Sequence, residues 1–248
     1  MSRLFVFGCS FTNYRWSTWA DCLAPEFDYY ENWGQSGGSN QYIFYSLMEC
    51  DQRHHFQEGD TVVVCWTDIM REARYTDRWQ TLGVVANNSL YSKEYVASMT
   101  ARGQLIRDLQ YIKAAKNILE SRPGVTWRFC SICDITKEHL WADEDTIAPD
   151  VVELYQDVID SILPSLRRVL RPLGWGGDSP EFIKTRNGDA HPNPVEALQY
   201  ADTIFPGWVT KQETRAKMQE ETELLEVNGY QLKNHRPRRS GLCTVKRL

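Results

Sequence analysis

The stretch Thr61-Val62-Val63-Val64-Cys65-Trp66 constrains this chain more than any other. It is short, β-branched and apolar, with none of the apolar/polar alternation expected of a strand with one wet face. A strand apolar on both faces belongs inside a parallel sheet covered by helices on either side. Glu58-Gly59-Asp60 ahead of it reads as a turn. The rest of the chain must then supply parallel neighbours and covering helices.

It supplies both. Leu4 to Gly8 reads as a first buried strand, Phe27 to Tyr30 as a second and Val125 to Cys130 as a fourth. Trp16, Trp19, Ala20 and Leu23 have helical spacing, and Gln41 to Cys50 is a second helical stretch. From Ser92 to Glu120, Leu105, Ile106, Leu109, Ile112, Ala115 and Leu119 predict one long amphipathic helix stopped by Pro123-Gly124. Asp150 is placed to cap a helix carrying Val152, Leu154, Val158, Ile162, Leu166 and Val169, which Pro164 should kink or break. Phe182-Ile183-Lys184 is the candidate fifth strand, and Val195 to Thr203 looks helical. Strands alternating with helices predict a three-layer, flavodoxin-like α/β fold around a central parallel sheet.

At 248 residues, one domain over 1–208 is expected, followed by a charged extension over 209–248. The extension holds a charged helix from Lys211 to Glu226 and a basic tail with Arg236, Arg238, Arg239, Lys246 and Arg247. It reads as solvated chain, with a docking segment for a protein partner as the alternative. A net charge of −5 argues against a nucleic-acid partner. No apolar run approaches the ~20 residues of a membrane span, and a first strand at Leu4 leaves no room for a cleaved signal peptide. With seven scattered cysteines, these features point to a reducing, cytoplasmic setting. Cys130 and Cys133 lack a second Cys or His pair, so packing is their expected role.

In parallel sheets, sites form beyond the carboxyl ends of the strands. Ser10 follows strand one, the Asn32 to Asn40 loop follows strand two, and Thr67-Asp68 follow strand three, so all should meet on one edge. The segment from Met70 to Leu90 follows neither period and reads as a long loop or insertion over that edge. Much later, Asn187-Gly188-Asp189-Ala190-His191-Pro192 holds an Asp/His pair. A hydroxyl nucleophile needs a base for its proton, and the base needs an orienting acid. Ser10, His191 and Asp189 are the candidates for those three roles.

In order, these segments resemble the SGNH (GDSL-like) hydrolase superfamily. Gly8-Cys9-Ser10 resembles its first block, with Cys9 where Asp is usual. Asn32 to Asn40 resembles the second, Trp66-Thr67-Asp68 the third, and Asp189-Ala190-His191-Pro192 the last. The resemblance implies Ser10 as nucleophile and an oxyanion hole built from the backbone N–H groups of Ser10 and Gly37. Thr67 stands where the third block has an asparagine donor, so the resemblance leaves Thr67 or Asn40 to replace it. Asp189 and His191 are two apart, against a usual three. No G-x-S-x-G elbow surrounds the serine.

Trp33 and Trp66 could offer aromatic faces to a sugar ring or acyl chain, or simply pack. Arg71 and Arg74 could recognise an acidic substrate. His54, His55, His139 and His235 are expected on the surface or in packing, and no metal or organic cofactor is implied. The first reading is a serine esterase acting on an O-acyl group, such as an O-acetylated carbohydrate. An inactive SGNH-like binding or structural module, for example in a virus particle, is the second. An O-acyltransferase with the same triad is the third.

Overall fold

The computed structural model describes residues 1–87, 90–137, 147–177 and 179–231. In chain order it begins with β1 (Arg3–Phe7), α1 (Trp19–Leu23), β2 (Tyr29–Asn32), α2 (Asn40–His54) and β3 (Asp60–Trp66). There follow β4 (Arg71–Tyr75), β5 (Trp79–Val84), α3 (Lys93–Ser98), α4 (Ala101–Glu120) and β6 (Thr126–Ser131). Short helices α5 (Pro149–Leu154), α6 (Gln156–Ile159), α7 (Leu166–Leu170) and α8 (Pro180–Thr185) precede α9 (Pro194–Ile204) and α10 (Gln212–Val227).

Four strands form a parallel sheet in the order β2-β1-β3-β6. Every residue of β3 is buried, as its sequence requires. The pleat sends alternate side chains to opposite faces. Phe5, Phe7, Val62 and Val64 pack under α2 and α4 with Ile43, Leu47, Leu109 and Ile112. Leu4, Val6, Val63 and Cys65 pack on the other face with Trp19, Leu23, Tyr200 and Ala201 from α1 and α9. This is the expected three-layer α/β architecture.

Met218 of α10 belongs to that second cluster, so packing runs without a break across residue 208. Bidentate Arg215–Asp202 bonds of 2.7 Å fasten α10 to α9. The basic tail, His139, His235 and Cys243 lie outside the described residues. Among the described residues, no helix is long and apolar enough to cross a membrane.

Three local expectations need correction. Phe182-Ile183-Lys184 is helix α8, not a strand, because Ser179 caps it by accepting the Phe182 N–H and Pro180 opens its first turn. A single parallel bridge between Phe129 and Ile162 stands at that sheet edge, with Leu163 N–H donating to the Phe129 carbonyl at 2.9 Å. The break expected at Pro164 is there: helix ends at Ile159 and restarts at Leu166. The long helix from Ser92 is two helices, since Ser92 and Thr100 each cap a separate start and Met99 between them is extended. Residues 71–84 are an antiparallel hairpin rather than a loop.

Candidate active site

The strand ends bring three loops together. Gly8 follows β1 at a point where a Cβ would lie 2.0 Å from Thr12 Oγ1, so a side chain there would displace Thr12 from the turn that presents Ser10. The second loop rests on the first through Gln35 N–H to the Gly8 carbonyl at 3.1 Å. Gly37 sits at φ +72°, and a Cβ on it would meet the Thr81 carbonyl oxygen at 2.6 Å. The hairpin holds that loop through Gly83 N–H to the Gly37 carbonyl at 3.0 Å and Thr81 Oγ1 to the Ser36 carbonyl at 2.8 Å.

Ser10, Asp189 and His191 meet although 181 positions separate the first from the last. Ser10 Oγ lies 2.8 Å from His191 Nε2, and Asp189 Oδ1 lies 2.8 Å from His191 Nδ1. The same carboxylate oxygen accepts the His191 backbone N–H at 2.9 Å, which fixes the turn as well as the ring. Ser10 and Asp189 are buried.

The 187–193 loop is fastened from below. Asn193 and Glu196 form reciprocal caps at the start of α9. Arg186 grips Glu196 with two bonds of 2.8 Å, and Trp16 Nε1 donates to the Pro192 carbonyl at 2.7 Å.

Two side chains that the sequence reading missed complete this half of the site. The Tyr14 hydroxyl donates to Asp189 Oδ2, and Arg15 donates to the same oxygen at 2.6 Å. The Tyr14 ring stacks on the His191 imidazole at 3.7 Å and 17°, with Phe11 tilted against it at 4.6 Å. Burial works to raise the Asp189 pKa, but hydrogen bonds from His191 and Tyr14 outweigh it and hold the carboxyl at about 2. Burial and the bond to Asp189 push the Tyr14 hydroxyl up to about 12, so it remains a donor. Their sequence signal was position alone: both lie on the loop that carries Ser10. A small, mostly apolar cleft borders Ser10 and His191, lined by Phe11, Tyr14, Leu166 and Ala197.

The third loop is built differently. Asn40 accepts the Thr67 N–H at 2.7 Å and donates to the Thr67 carbonyl at 2.9 Å and to Asp108 Oδ2 at 2.7 Å. Both of its amide hydrogens are committed, so Asn40 is a clamp on the Thr67 backbone rather than a free oxyanion donor. Thr67 Oγ1 is buried with no hydrogen-bond partner among the described residues. Arg107 donates to Asp108 at 2.7 Å and to the carbonyls of Ile69 and Arg71 at 3.0 and 3.1 Å, anchoring the chain beyond Thr67. Burial pushes the Asp108 carboxyl up to about 6 against the pull of Arg107 and Asn40. Asp108 was legible as an acid on the apolar stripe formed by Leu105, Leu109 and Ile112.

Two of the four candidate substrate contacts are core residues. Trp33 and Trp66 are buried in the core, where Trp33 stacks on Phe7 and Trp66 packs edge-on to Phe129. Both rings are closed over by core packing, Trp66 on the fully covered β3 and Trp33 in the loop just past β2, which leaves no aromatic face for a ligand there. Arg71 and Arg74 lie on β4; the Arg74 guanidinium sits over the rings of Tyr91 and Tyr95 at 4.3 and 5.4 Å.

No family profile matches the chain, and no curated protein matches it. Among solved structures it is similar to the psychrotrophic esterase EstA of Pseudoalteromonas sp. at 10% identity, covering 82% of this chain and 97% of that one, TM-score 0.45. It is similar to a lipolytic G-D-S-L family protein of Veillonella parvula at 12% identity, covering 83% and 98%, TM-score 0.42. It is also similar to LAE5, an alpha/beta hydrolase from the Lake Arreo metagenome, at 12% identity, covering 85% and 97%, TM-score 0.47. What this site can do rests on its own atoms.

Proposed function

We propose that the chain is an SGNH-type serine esterase acting on an O-acyl ester, with O-acetylated carbohydrate the first substrate class to try. The observation that carries this is the unbroken run Ser10 Oγ, His191, Asp189, with both contacts at 2.8 Å. His191 Nε2 takes the Ser10 proton as Oγ attacks the ester carbonyl, and Asp189 holds the ring and offsets the imidazolium charge. The backbone N–H groups of Ser10 and Gly37 face the developing oxyanion, with the Thr67 hydroxyl as third donor after a rotation about χ1. Collapse expels the alcohol, which receives its proton from His191. Water then attacks the acyl-Ser10 with His191 again as base.

A second reading, a catalytically weak or inactive binding module, is favoured by the third loop: Asn40 is committed and the Thr67 hydroxyl is closed off. Active-site labelling with a fluorophosphonate separates the two. The esterase reading expects one label per chain in the wild type and none in Ser10→Ala. A wild type that neither labels nor hydrolyses p-nitrophenyl acetate favours the module.

A further inference from the structure

Among the described residues, one set of His, Cys and carboxylate side chains gathers its donor atoms within 4.8 Å of one another: Glu31, Cys50 and His54. Cys50 and His54 are spaced i, i+4 near the end of α2, so they share one face of the helix. Glu31 comes from β2, the edge strand that lies against that face. The geometry points to a zinc site in which Cys50 Sγ, His54 and the Glu31 carboxylate bind one Zn²⁺ and solvent takes the fourth position.

The donor set fits that ion. Thiolate, imidazole and carboxylate are the three ligand types zinc takes, and three protein ligands with one open position is an ordinary zinc arrangement. Bond lengths of about 2.0–2.3 Å in a tetrahedron put donors about 3.3–3.7 Å apart. His54 Nε2 and Glu31 Oε2 are already at 3.1 Å, and the remaining donor pairs lie within 4.8 Å, so closing the set means drawing the donors in by about 1 Å. Cys50 is fully buried, while the His54 and Glu31 side chains retain 23% and 18% exposure. One side therefore stays open to solvent for the fourth ligand.

Charge balance also favours a dication. One thiolate and one carboxylate sum to −2 and neutralise Zn²⁺ without leaving a buried net charge. Arg3 does not upset this, because its guanidinium is paired with Asp60 at 2.6 and 2.7 Å. Neighbours already orient the ligands: the Tyr29 hydroxyl and Trp33 Nε1, the latter at 2.8 Å, both donate to Glu31. The His54 ring is held against Phe5 at 5.2 Å. Binding forms the Zn–S bond as the Cys50 thiol proton passes to solvent.

Such an ion would act as a staple. The site lies about 20 Å along α2 from Asn40, and it would pin an edge strand bonded on one side only to the helix that clamps Thr67. The inference is independent of the esterase reading. No short motif marks it in the sequence, because Glu31 is remote from the pair on α2, and the sequence alone implied no metal.

The test is titration of the chelator-treated full chain with Co²⁺ and then Zn²⁺. One equivalent of Co²⁺ should give a near-ultraviolet thiolate-to-cobalt band that Zn²⁺ bleaches. Zinc should raise the unfolding temperature and a chelator should reverse the rise. Cys50→Ser should abolish the band, and His54→Gln should weaken Zn²⁺ binding about 100-fold. Tyr29→Phe, which leaves every ligand in place, should weaken it by about tenfold. Absence of the band in the wild type, its survival in Cys50→Ser, or unchanged zinc affinity in His54→Gln would each overturn the site.

Discussion

The two halves of the site solve their problems in opposite ways. On the nucleophile side, the reacting side chains point at one another, and the supporting groups (Tyr14, Arg15, Phe11 and Arg186) act from outside on a chain that is already closed. On the oxyanion side the polar side chains point away from the reacting centre. Asn40 and Arg107 grip backbone, Asp108 holds those two side chains, and the hairpin grips Gly37 through its main chain. Proton transfer requires particular side chains in line, whereas an oxyanion needs only donors in position, which backbone N–H groups supply. On the proposed esterase reading, the triad therefore has no substitutes, and the oxyanion half can be rebuilt so long as its backbone is held still.

The sharpest break of that contrast is Ser10→Ala. It should lower ester turnover by about 10⁶-fold, to the background rate, with substrate binding retained. A variant that kept a tenth of wild-type turnover would remove the nucleophile half altogether.

Next in size is Thr67→Val, which keeps shape and deletes one hydroxyl. A buried hydroxyl without a partner costs the fold about 1–3 kcal/mol, so stability to denaturant should hold or rise by about 1 kcal/mol. If that hydroxyl is the third oxyanion donor, turnover of p-nitrophenyl acetate should fall about 10²–10³-fold with KM little changed. Stability rising while turnover stays constant would leave the backbone N–H groups as the whole hole.

The nucleophile half was more legible in sequence than the oxyanion half, for the same physical reason. Ser10, Asp189 and His191 carry their chemistry in residue type, and the buried runs of β1 and β3 fix the edge where they meet. Asn40 looked like a donor because its type permits it; its commitment to Thr67 and Asp108 follows only from how α2 and α4 pack. Trp33 and Trp66 looked like platforms from their nearness to the loops, yet Trp66 is hidden on the doubly covered β3 and Trp33 is packed against Phe7. The β4–β5 hairpin escaped because Ala73 is the lone fully buried residue of β4, so no period-2 pattern forms. Helix α8, by contrast, announced itself through Ser179-Pro180-Glu181, a cap and first-turn signal that the apolar pair Phe182-Ile183 overshadowed.

Asn40→Ala tests whether the clamp acts through the backbone. It strands the Thr67 N–H and carbonyl and removes a bond to Asp108, all in a buried setting, so stability should fall by about 2–4 kcal/mol. Turnover measured well below the unfolding temperature should fall with it. Loss of stability with full turnover would show that Thr67 needs no clamp.

The two halves should also respond oppositely to pH. Asp189 is held at about 2, below its ordinary 3.8, so its stabilisation is present above about pH 4 and is lost as pH falls towards 2. By linkage this amounts to roughly 2 kcal/mol. Asp108, raised to about 6, does the reverse: its contribution is complete below about pH 4 and is lost as pH rises through 6. Urea unfolding across pH 2–8 should therefore show Asp189→Asn closest to wild type at the acid end. Asp108→Asn should flatten the decline between pH 4 and 6. Parallel curves for wild type and both variants would dissolve the electrostatic contrast.

The smallest effect expected is that of Arg15→Ala. The Arg15 side chain is 42% exposed, and exposed ion pairs contribute about 0–1 kcal/mol. Arg15 binds Asp189 Oδ2 and leaves Oδ1 to His191, so removing it leaves the His191 contact intact, with Tyr14 still on Oδ2. Stability should drop by less than about 1 kcal/mol and turnover should change by less than about fivefold, the rate equivalent of that energy. Tyr14→Phe, which keeps the ring over His191 and removes the hydroxyl, should do more, because its bond to Asp189 is the better buried of the two. If Arg15→Ala instead cost orders of magnitude in turnover, the triad would depend on an outside charge as heavily as Thr67 depends on Asn40. The two halves would then differ in residue type and not in design.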